Sequence, residues 1–534
     1  MNSIKTFGTF AVAALLSQLT AQNKQPNIII LTADDLGWND ISSEIATLGN
    51  GSKNHQTPNI DKLASESMVF TNAYTQQNSA PTRAALLTGQ YANRTHVYNV
   101  WGLDRYATKD QPGIKQSEAK IIPAAQEKES IKPGTVTFAK LLREAGYETY
   151  VFGKVHGFKM NEAEDNGFTH DFGCGKTIKD TNAEKSNYYA FRTEEGKWIF
   201  DNPKFNKFAE PYTEEYIRKN LLPVANGNNP LQMAGTRKHF TDAIADVVID
   251  EIANAPADKP FCMWVAFHAI HSAIVSREDL YEKYRNRTNM DSRHENFKYA
   301  ALTEQLDQTV GRILAALDDP NGDGDKSDSK RENTVVVFMS DNGGVSGGNH
   351  SNAPLRESKG TLYEGGIRVP MMVRYPALIK SASITKEPVH VIDYLPTFLD
   401  IAGIEYTHKE HVLDGESLYP ILSGEKDQLK RELLFWHFPG YMDIRGIPAS
   451  VINKRIGDQR YKYRYCYEYN THELYNLTDD MGETTNLLEN PDTRSLKIAN
   501  AMLRDLNKWM KETKPLPMFY VDGGKQVELP KRIK

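Results

Sequence analysis

The sequence predicts an α/β fold around a large, mostly parallel sheet, followed by a smaller C-terminal antiparallel sheet plus helix. Three observations carry that prediction. Uninterrupted apolar runs rich in β-branched residues, such as Asn27–Thr32 and Asn333–Met339, read as strands buried on both faces. Segments with helical spacing alternate with them, as successive βαβ units require. Polar clusters follow the runs directly: Asp34-Asp35, Gly153-Lys154-Val155-His156, His268-Ala269-Ile270-His271 and Ser340-Asp341-Asn342. In open α/β sheets, ligands bind at this carboxyl end of the strands.

Composition narrows the function. A chain of 534 residues has room for a large core and more than one domain. Its net charge is -5 and it holds no basic block, which excludes a nucleic-acid surface. Cys174, Cys262 and Cys466 are too few and too scattered for a disulfide framework or a cysteine zinc site, and none is expected to pair. At the N-terminus, Lys5 precedes an apolar run from Phe7 to Leu16, and Ala21 stands before Gln22. This pattern predicts a signal peptide over 1–21, cleaved near Ala21, and export to a periplasm or beyond the cell. No run is long enough to span a bilayer. The mature chain divides into 22–428 and a C-terminal α+β part over 429–534, with a polar run near 424–430 at the boundary.

Taken in order, Pro58–Leu63 reads as a short helix and Val69–Tyr74 as a strand. Ser79-Ala80-Pro81-Thr82-Arg83 reads as a helix start, with Asn78 or Ser79 as cap and Pro81 in the first turn. A helix from Thr135 to Ala145 leads into a strand from Glu148 to Phe152. Residues 158–235, with weak periodicity, read as an insertion of loops and short elements that could line a cleft. A helix over 238–254, a strand from Phe261 to Phe267 and a long amphipathic helix from Phe297 to Leu317 follow. The acidic stretch 319–328 matches the start of a calcium loop, but Lys330 stands where a bidentate Glu belongs. It is either a second calcium site or a solvated turn. Val389–Thr397 opens a helix ending at Gly403. Four short strands, starting near Leu433, Ser450, Tyr461 and Glu473, and a helix from Arg494 to Lys511 complete the chain. Among them Trp436, His437, Tyr441 and Arg445 are candidates to meet a sugar ring and its anionic groups, or else ordinary core and surface.

The chemistry-bearing residues fall into two sets. Asp34, Asp35, Asp341 and Asn342 offer hard oxygen ligands for one divalent cation; the plain alternative is turn or helix starts. Ser79 and Arg83 lie four apart, so they share one face at a helix N-terminus, whose free N–H groups and dipole favour an anion. A hydroxyl, a guanidinium and a helix N-terminus suit a tetrahedral oxyanion such as sulfate or phosphate.

These motifs resemble, in order, those of the type I sulfatases of the alkaline-phosphatase superfamily. Ser79-Ala80-Pro81-Thr82-Arg83, running on to Thr88-Gly89, is similar to the family signature in its serine form. The segments Gly153 to His156, His268 to His271, Asp341-Asn342 and Pro354 to Pro370 match further family motifs, although Glu357-Ser358 stand where Gly-Gly is common. The resemblance implies an alkaline-phosphatase-like sandwich and a sulfuric ester hydrolase. It implies oxidation of Ser79 to formylglycine by a maturation enzyme, and one calcium ion held by Asp34, Asp35, Asp341, Asn342 and the residue-79 side chain. Arg83, Lys154 and Lys359 would attend the sulfate, and an acidic neighbour such as Asp341 would activate the attacking hydroxyl. His271 would protonate the leaving oxygen and His156 would deprotonate the second hydroxyl. The expected substrate is a sulfated polysaccharide or oligosaccharide. A phosphomonoesterase or phosphodiesterase of the superfamily and a non-catalytic carbohydrate binder are the alternatives; the first would call for two zinc ions and more Asp and His.

Overall fold

The computed structural model describes residues 25–108, 112–123, 125–126, 129–159, 161–174, 188–288, 290–347 and 350–534. The expected signal peptide, 1–21, lies outside the described residues. The main sheet has eight strands: β1 (Asn27–Ala33), β2 (Met68–Phe70), β3 (Glu148–Lys154), β4 (His170–Cys174), β5 (Phe261–Ala266), β6 (Thr334–Ser340), β7 (Met371–Arg374) and β8 (Ser383–Thr385). Their order is β8-β2-β7-β6-β1-β5-β3-β4, and β7 alone runs against the others.

The central strand explains its own sequence. Ile28 and Ile30 of β1 enter one hydrophobic core, and Ile29 and Leu31 enter the other. Both faces are covered, so the run needs no polar alternation. On the first face lie α2 (Ser79–Thr88), α3 (Phe138–Glu144) and α6 (Tyr394–Ala402); on the second lie α1 (Pro58–Ser65), α4 (Phe240–Asn254) and α5 (Phe297–Asp318). The sandwich and its mostly parallel sheet are as the sequence predicts.

The C-terminal strands β9 (Leu433–Phe438), β10 (Ala449–Ile456), β11 (Gln459–Cys466) and β12 (Thr471–Asn476) form an antiparallel meander. Helix α7 (Thr493–Thr513) buries Met502, Leu506 and Trp509, and the Asp492 carboxylate caps it by accepting the Ser495 N–H. The joint between the sheets carries a buried charge trio. The Lys462 ammonium of β11 lies 3.0 Å from Glu364 and 2.9 Å from Glu483, all three fully buried.

Several local expectations change. Val69–Tyr74 is two strands: β2 joins the main sheet, whereas Ala73–Tyr74 pairs with Arg368–Val369 and Val389–His390 in a separate one. The break falls at Thr71, whose carbonyl accepts from Arg368 Nε. The segment after 158 is not all insertion, because β4 closes the edge of the main sheet. Helix α3 starts at Phe138, since Thr137 caps it through the Lys140 N–H. Trp436, His437 and Tyr441 are core residues at 1%, 2% and 1% exposure, so they do not face a sugar. The Trp436 indole donates to the Thr75 carbonyl. The three cysteines are free and buried. In the 319–328 loop, Asp319, Asp323 and Asp325 accept backbone N–H groups of the loop itself. Among the described residues they do not form a convergent ligand group.

Replacing Lys462 with Met leaves buried Glu483 without its ion-pair partner, and Glu364 with Arg368 at 3.6 Å. Breaking such a buried cluster costs about 3–5 kcal/mol. Urea unfolding should show a loss of that size at neutral pH; a loss below about 1 kcal/mol would show that the trio does not hold the two sheets together.

Candidate active site

The parallel register puts the polar clusters together. Ala33 lies opposite Ser340, Thr32 opposite Ala266, and Gly153 opposite Ala266. Asp34-Asp35, Asp341-Asn342, Lys154 and the histidines after β5 therefore meet at one edge of the sheet. Close packing there depends on Gly153 (φ 73°), where a Cβ would come within 2.1 Å of the Ala266 carbonyl oxygen.

Helix α2 closes the site. Asn78 is its N-cap by backbone, but its side chain makes no cap; its amide donates to Asn99 Oδ1 instead. Ser79 likewise does not cap. Its hydroxyl lies 3.4 Å from both Asp34 Oδ1 and Asn342 Oδ1. Arg83, one turn later, is fully buried. Its guanidinium reaches Asp34 Oδ2 at 3.1 Å and Asp341 Oδ2 at 2.7 Å, and it donates to the Lys154 carbonyl. The Lys154 ammonium pairs with Asp34, and the Lys359 ammonium sits 2.5 Å from Asp35 Oδ1. Asn342 donates its amide to Asp35 Oδ1 at 2.8 Å, which leaves Asn342 Oδ1 turned toward Ser79. His271 Nε2 is 3.8 Å from Asp35 Oδ2. His156 is beside Lys154, with a buried Nδ1 that has no partner among the described residues.

The charges are matched but confined. Burial alone would raise the Asp34 carboxyl, yet Lys154, His271, Arg83 and Lys359 outweigh it and hold Asp34 well below the usual range. Asp35 and Asp341 are raised by burial, and the Asp34 charge adds to it. Burial, then Lys154 and Lys359, push His271 down to about 3. Burial, then Lys154 and Arg83, hold His156 well below its ordinary value, so its ring is neutral and able to take a proton. His268 is buried against Cys174, in keeping with a structural place.

The oxygen donors fit a hard cation. Asp34, Asp35, Ser79 and Asn342 turn oxygens toward one another, and Asp34, Asp35 and His271 present ligand atoms within 4.8 Å of one another. Asp341 is more committed: Oδ2 is taken by Arg83, and Oδ1 accepts the Asp35 N–H at 3.3 Å. Its counter-charges, Arg83, Lys154 and Lys359, balance the acids Asp34, Asp35 and Asp341. A divalent cation would leave the site net positive and receptive to an anion.

Above these groups opens a cavity of about 470 Å³, lined by Ser79, Lys154, His156, His271 and Lys359 below and by Trp101, Arg105, Met442 and Ile444 at the rim. No described residue of 158–235 lines it. Trp101 and Arg105 were not legible in the sequence, because they stand in a stretch without periodicity or motif. Trp101 is 64% exposed, with the Arg105 guanidinium 5.4 Å from its ring. Arg105 is tied to Asp443 at 2.8 Å, and Glu357 to Arg445 at 2.8 Å. Five non-glycine residues at or beside the site hold positive φ: Asp35 63°, Trp101 67°, His156 49°, Glu357 62° and Arg445 69°. Such strain gathers where geometry is held for function.

Against known proteins, the sulfatase family model matches residues 26–404. The chain belongs to the sulfatase family. A second model, the C-terminal region of N-sulphoglucosamine sulphohydrolase, matches residues 358–512. A sulfatase of Formosa agariphila is 42% identical over 548 residues, covering 99% of this chain and 97% of the relative. Among solved structures, Ps i-CgsB in complex with k-i-k-neocarrahexaose superposes with a TM-score of 0.63 at 24% identity, covering 91% of this chain and 93% of that one. BT4656 in complex with D-glucosamine-2-N,6-O-disulfate gives 0.56 at 20% identity, over 92% and 98%. The sulfatase is thus a sulfuric ester hydrolase with the fold of carbohydrate-bound neighbours.

The ion pairs of the site predict a pH signature. A carboxylate held low contributes stability above its unfolded value of 3.8 and loses it as pH falls through the folded value. Replacing Lys154 with Met removes the largest of the charges that hold Asp34 low, so its carboxyl is expected to rise. In calcium-free buffer, the variant's deficit in unfolding free energy should be greatest at pH 7 and shrink as pH falls toward about 4. A deficit that is the same at both pH values would mean that Lys154 does not stabilise the Asp34 charge.

Proposed function

We propose that this sulfatase is exported and hydrolyses sulfate monoesters on a sulfated polysaccharide or oligosaccharide, with formylglycine made from Ser79 and one calcium ion. The observation that carries the reading is the convergence of Ser79 Oγ on Asp34 Oδ1 and Asn342 Oδ1, at the floor of a cavity whose walls carry Lys154, Lys359, His156 and His271. Asp34, Asp35, Asn342 and the residue-79 side chain would hold the calcium, with Asp341 beside them, and the ion would supply charge to stabilise the transition state. As formylglycine, residue 79 would supply a hydrated aldehyde as the nucleophile, which a plain serine cannot, because its sulfate ester is hard to break.

The chain's own side chains do the rest. Lys154 and Lys359 bind sulfate oxygens once a cation relieves them of the carboxylates. Arg83 fixes Asp34 and Asp341. Of these two, Asp34 is the better partner for the nucleophile, since it is charged and faces Ser79, whereas both Asp341 oxygens are engaged. Burial, with the lysine field added to it, strips His271 of its proton in the free site; a bound sulfate would offset the lysine part, which favours a proton on His271 for the leaving oxygen. Neutral His156 takes a proton from the second hydroxyl, which expels sulfate.

Carbohydrate as the substrate class is supported by the rim. An exposed Trp backed by Arg105 offers a flat apolar face with a cation beside it, suited to a sugar ring and a further anionic group. The saccharides bound by Ps i-CgsB and BT4656 point the same way. Export is supported by the signal-like N-terminus, and among the described residues no helix is long and apolar enough to cross a membrane. We take 22–428 as the catalytic unit and 429–534 as a subdomain that supplies part of the rim.

Two experiments test this reading. Mass spectrometry of the Ser79 peptide from the native host should show a peptide lighter by two hydrogen atoms, and Ser79→Ala should abolish sulfate release. An unmodified peptide in fully active protein would overturn the formylglycine assignment. Replacing Trp101 with Ala should raise KM for a sulfated oligosaccharide about tenfold, the worth of a lost ring stack, while leaving 4-nitrophenyl sulfate turnover unchanged. Equal effects on both substrates would remove Trp101 from sugar recognition.

A further inference from the structure

A second cluster lies behind the site, in the loop that leaves β1. Asp40, His55 and His294 are at 0%, 2% and 0% exposure, and His350 is at 6%. The Asp40 carboxylate is oriented by two donors on one oxygen: Oδ2 accepts the Gly37 N–H at 2.6 Å and the Tyr299 hydroxyl at 2.7 Å. Its other oxygen, Oδ1, faces His350 Nε2 at 2.7 Å and His294 Nε2 at 3.3 Å. His350 and His55 are oriented in the same manner. Each directs Nδ1 to a backbone carbonyl, of Val345 at 2.8 Å and of Asp40 at 2.7 Å. With Nδ1 donating, the lone pair of His55 lies on Nε2, whereas His350 Nε2 shares a proton with Asp40 Oδ1.

The nitrogens of the other two rings are poorly used. His55 Nε2 is buried without a hydrogen-bond partner, and neither nitrogen of His294 makes a hydrogen bond of good geometry. The His294 ring lies between the other two, with centroids 4.8 Å from His55 and 5.4 Å from His350. Leaving buried polar atoms unpaired costs about 1–3 kcal/mol each. Imidazoles that donate Nδ1–H to carbonyls and present Nε2 inward are what the outer shell of a metal site provides.

We propose that Asp40, His294 and His350, whose ligand atoms lie within 4.8 Å of one another, bind one zinc-class transition-metal ion. The donor set decides the class: imidazole nitrogens suit zinc and its neighbours, whereas calcium takes oxygens. Spacing agrees. Bonds of about 2.0–2.1 Å in a tetrahedron separate ligand atoms by about 3.3 Å, the Asp40–His294 distance. The shorter Asp40–His350 contact holds a proton, which the ion would displace to solvent. The ion would pin three loops: the one after β1, the one before α5 at His294, and the one after β6 at His350, where His294 and His350 already form a β-bridge. Tyr299 ties this group to the active site, since its hydroxyl also lies 2.8 Å from the Asp35 carbonyl.

The test is element analysis of protein kept in calcium throughout, offered one equivalent of zinc and desalted. About one zinc per chain should remain. It should be lost in His294→Ala and kept in His271→Ala, which separates this cluster from the Asp34–Asp35–His271 group. In excess calcium, 1,10-phenanthroline should lower the melting temperature of the wild type, and added zinc should restore it. No retained zinc and no response to phenanthroline would overturn the proposal and leave a hydrogen-bonded histidine–carboxylate network closed by water. Zinc kept by His294→Ala but lost from His271→Ala would overturn it too. Should His294→Ala fail to fold, the wild-type zinc content, the His271→Ala comparison and the phenanthroline response decide alone.

Discussion

The structure depends on one buried guanidinium. Arg83 joins the end of β1 through Asp34, the end of β6 through Asp341 and the end of β3 through the Lys154 carbonyl, all from one position on α2, a turn after Ser79. Without it, two acids on adjacent strand ends would repel each other in a medium too dry to screen them. A lysine could neutralise one but could not span both, because only the planar fork reaches two carboxylates and a carbonyl at once. Every other charge takes its place around that clamp. Asp34 stays ionised because of its surroundings, Lys154 leans on Asp34, and Lys359 settles on Asp35.

Most of this frame was legible in the sequence, for physical reasons. A strand buried on both faces must be apolar throughout, so β1, β3, β5 and β6 announce themselves, and the acids, lysine and histidines that end them are conspicuous by contrast. The site residues Asp34, Asp35, Ser79, Arg83, Lys154, His156, His271, Asp341, Asn342 and Lys359 do gather at one edge. What was illegible depends on tertiary partners. β4, His170–Cys174, carries too little apolar signal to mark an edge strand. Val69–Tyr74 reads as one strand because nothing local shows that Arg368 takes the Thr71 carbonyl. Trp436 and Tyr441 look like binding aromatics until their burial is known. Conversely, Trp101 looks like nothing in particular and stands exposed at the cavity mouth.

On the proposed reading, chemistry and recognition fall to different parts of the chain. The reactive groups stand on strand ends and a helix start, where neighbouring backbone holds them rigid. The rim comes from loops and from the C-terminal part: Trp101 and Arg105 from one loop, Met442 to Ile444 from another. Loops can change without disturbing the sheet. On the proposed reading, the Arg105–Asp443 pair stands where a change would alter the cavity mouth and leave its floor intact.

The burial of Ser79 sets a clock. The residue is 2% exposed, at the start of a helix buried along its whole length. A second enzyme that alters this side chain must hold the segment around it in its own cleft, and the folded protein leaves no room for that. On the proposed reading, oxidation of Ser79 would therefore belong to the interval between synthesis and folding. Maturation and folding would then compete for the same chain, and the slower the sheet assembled around α2, the larger would be the share of molecules that reach the folded state already altered. Stability gained by faster folding would be paid in dead enzyme.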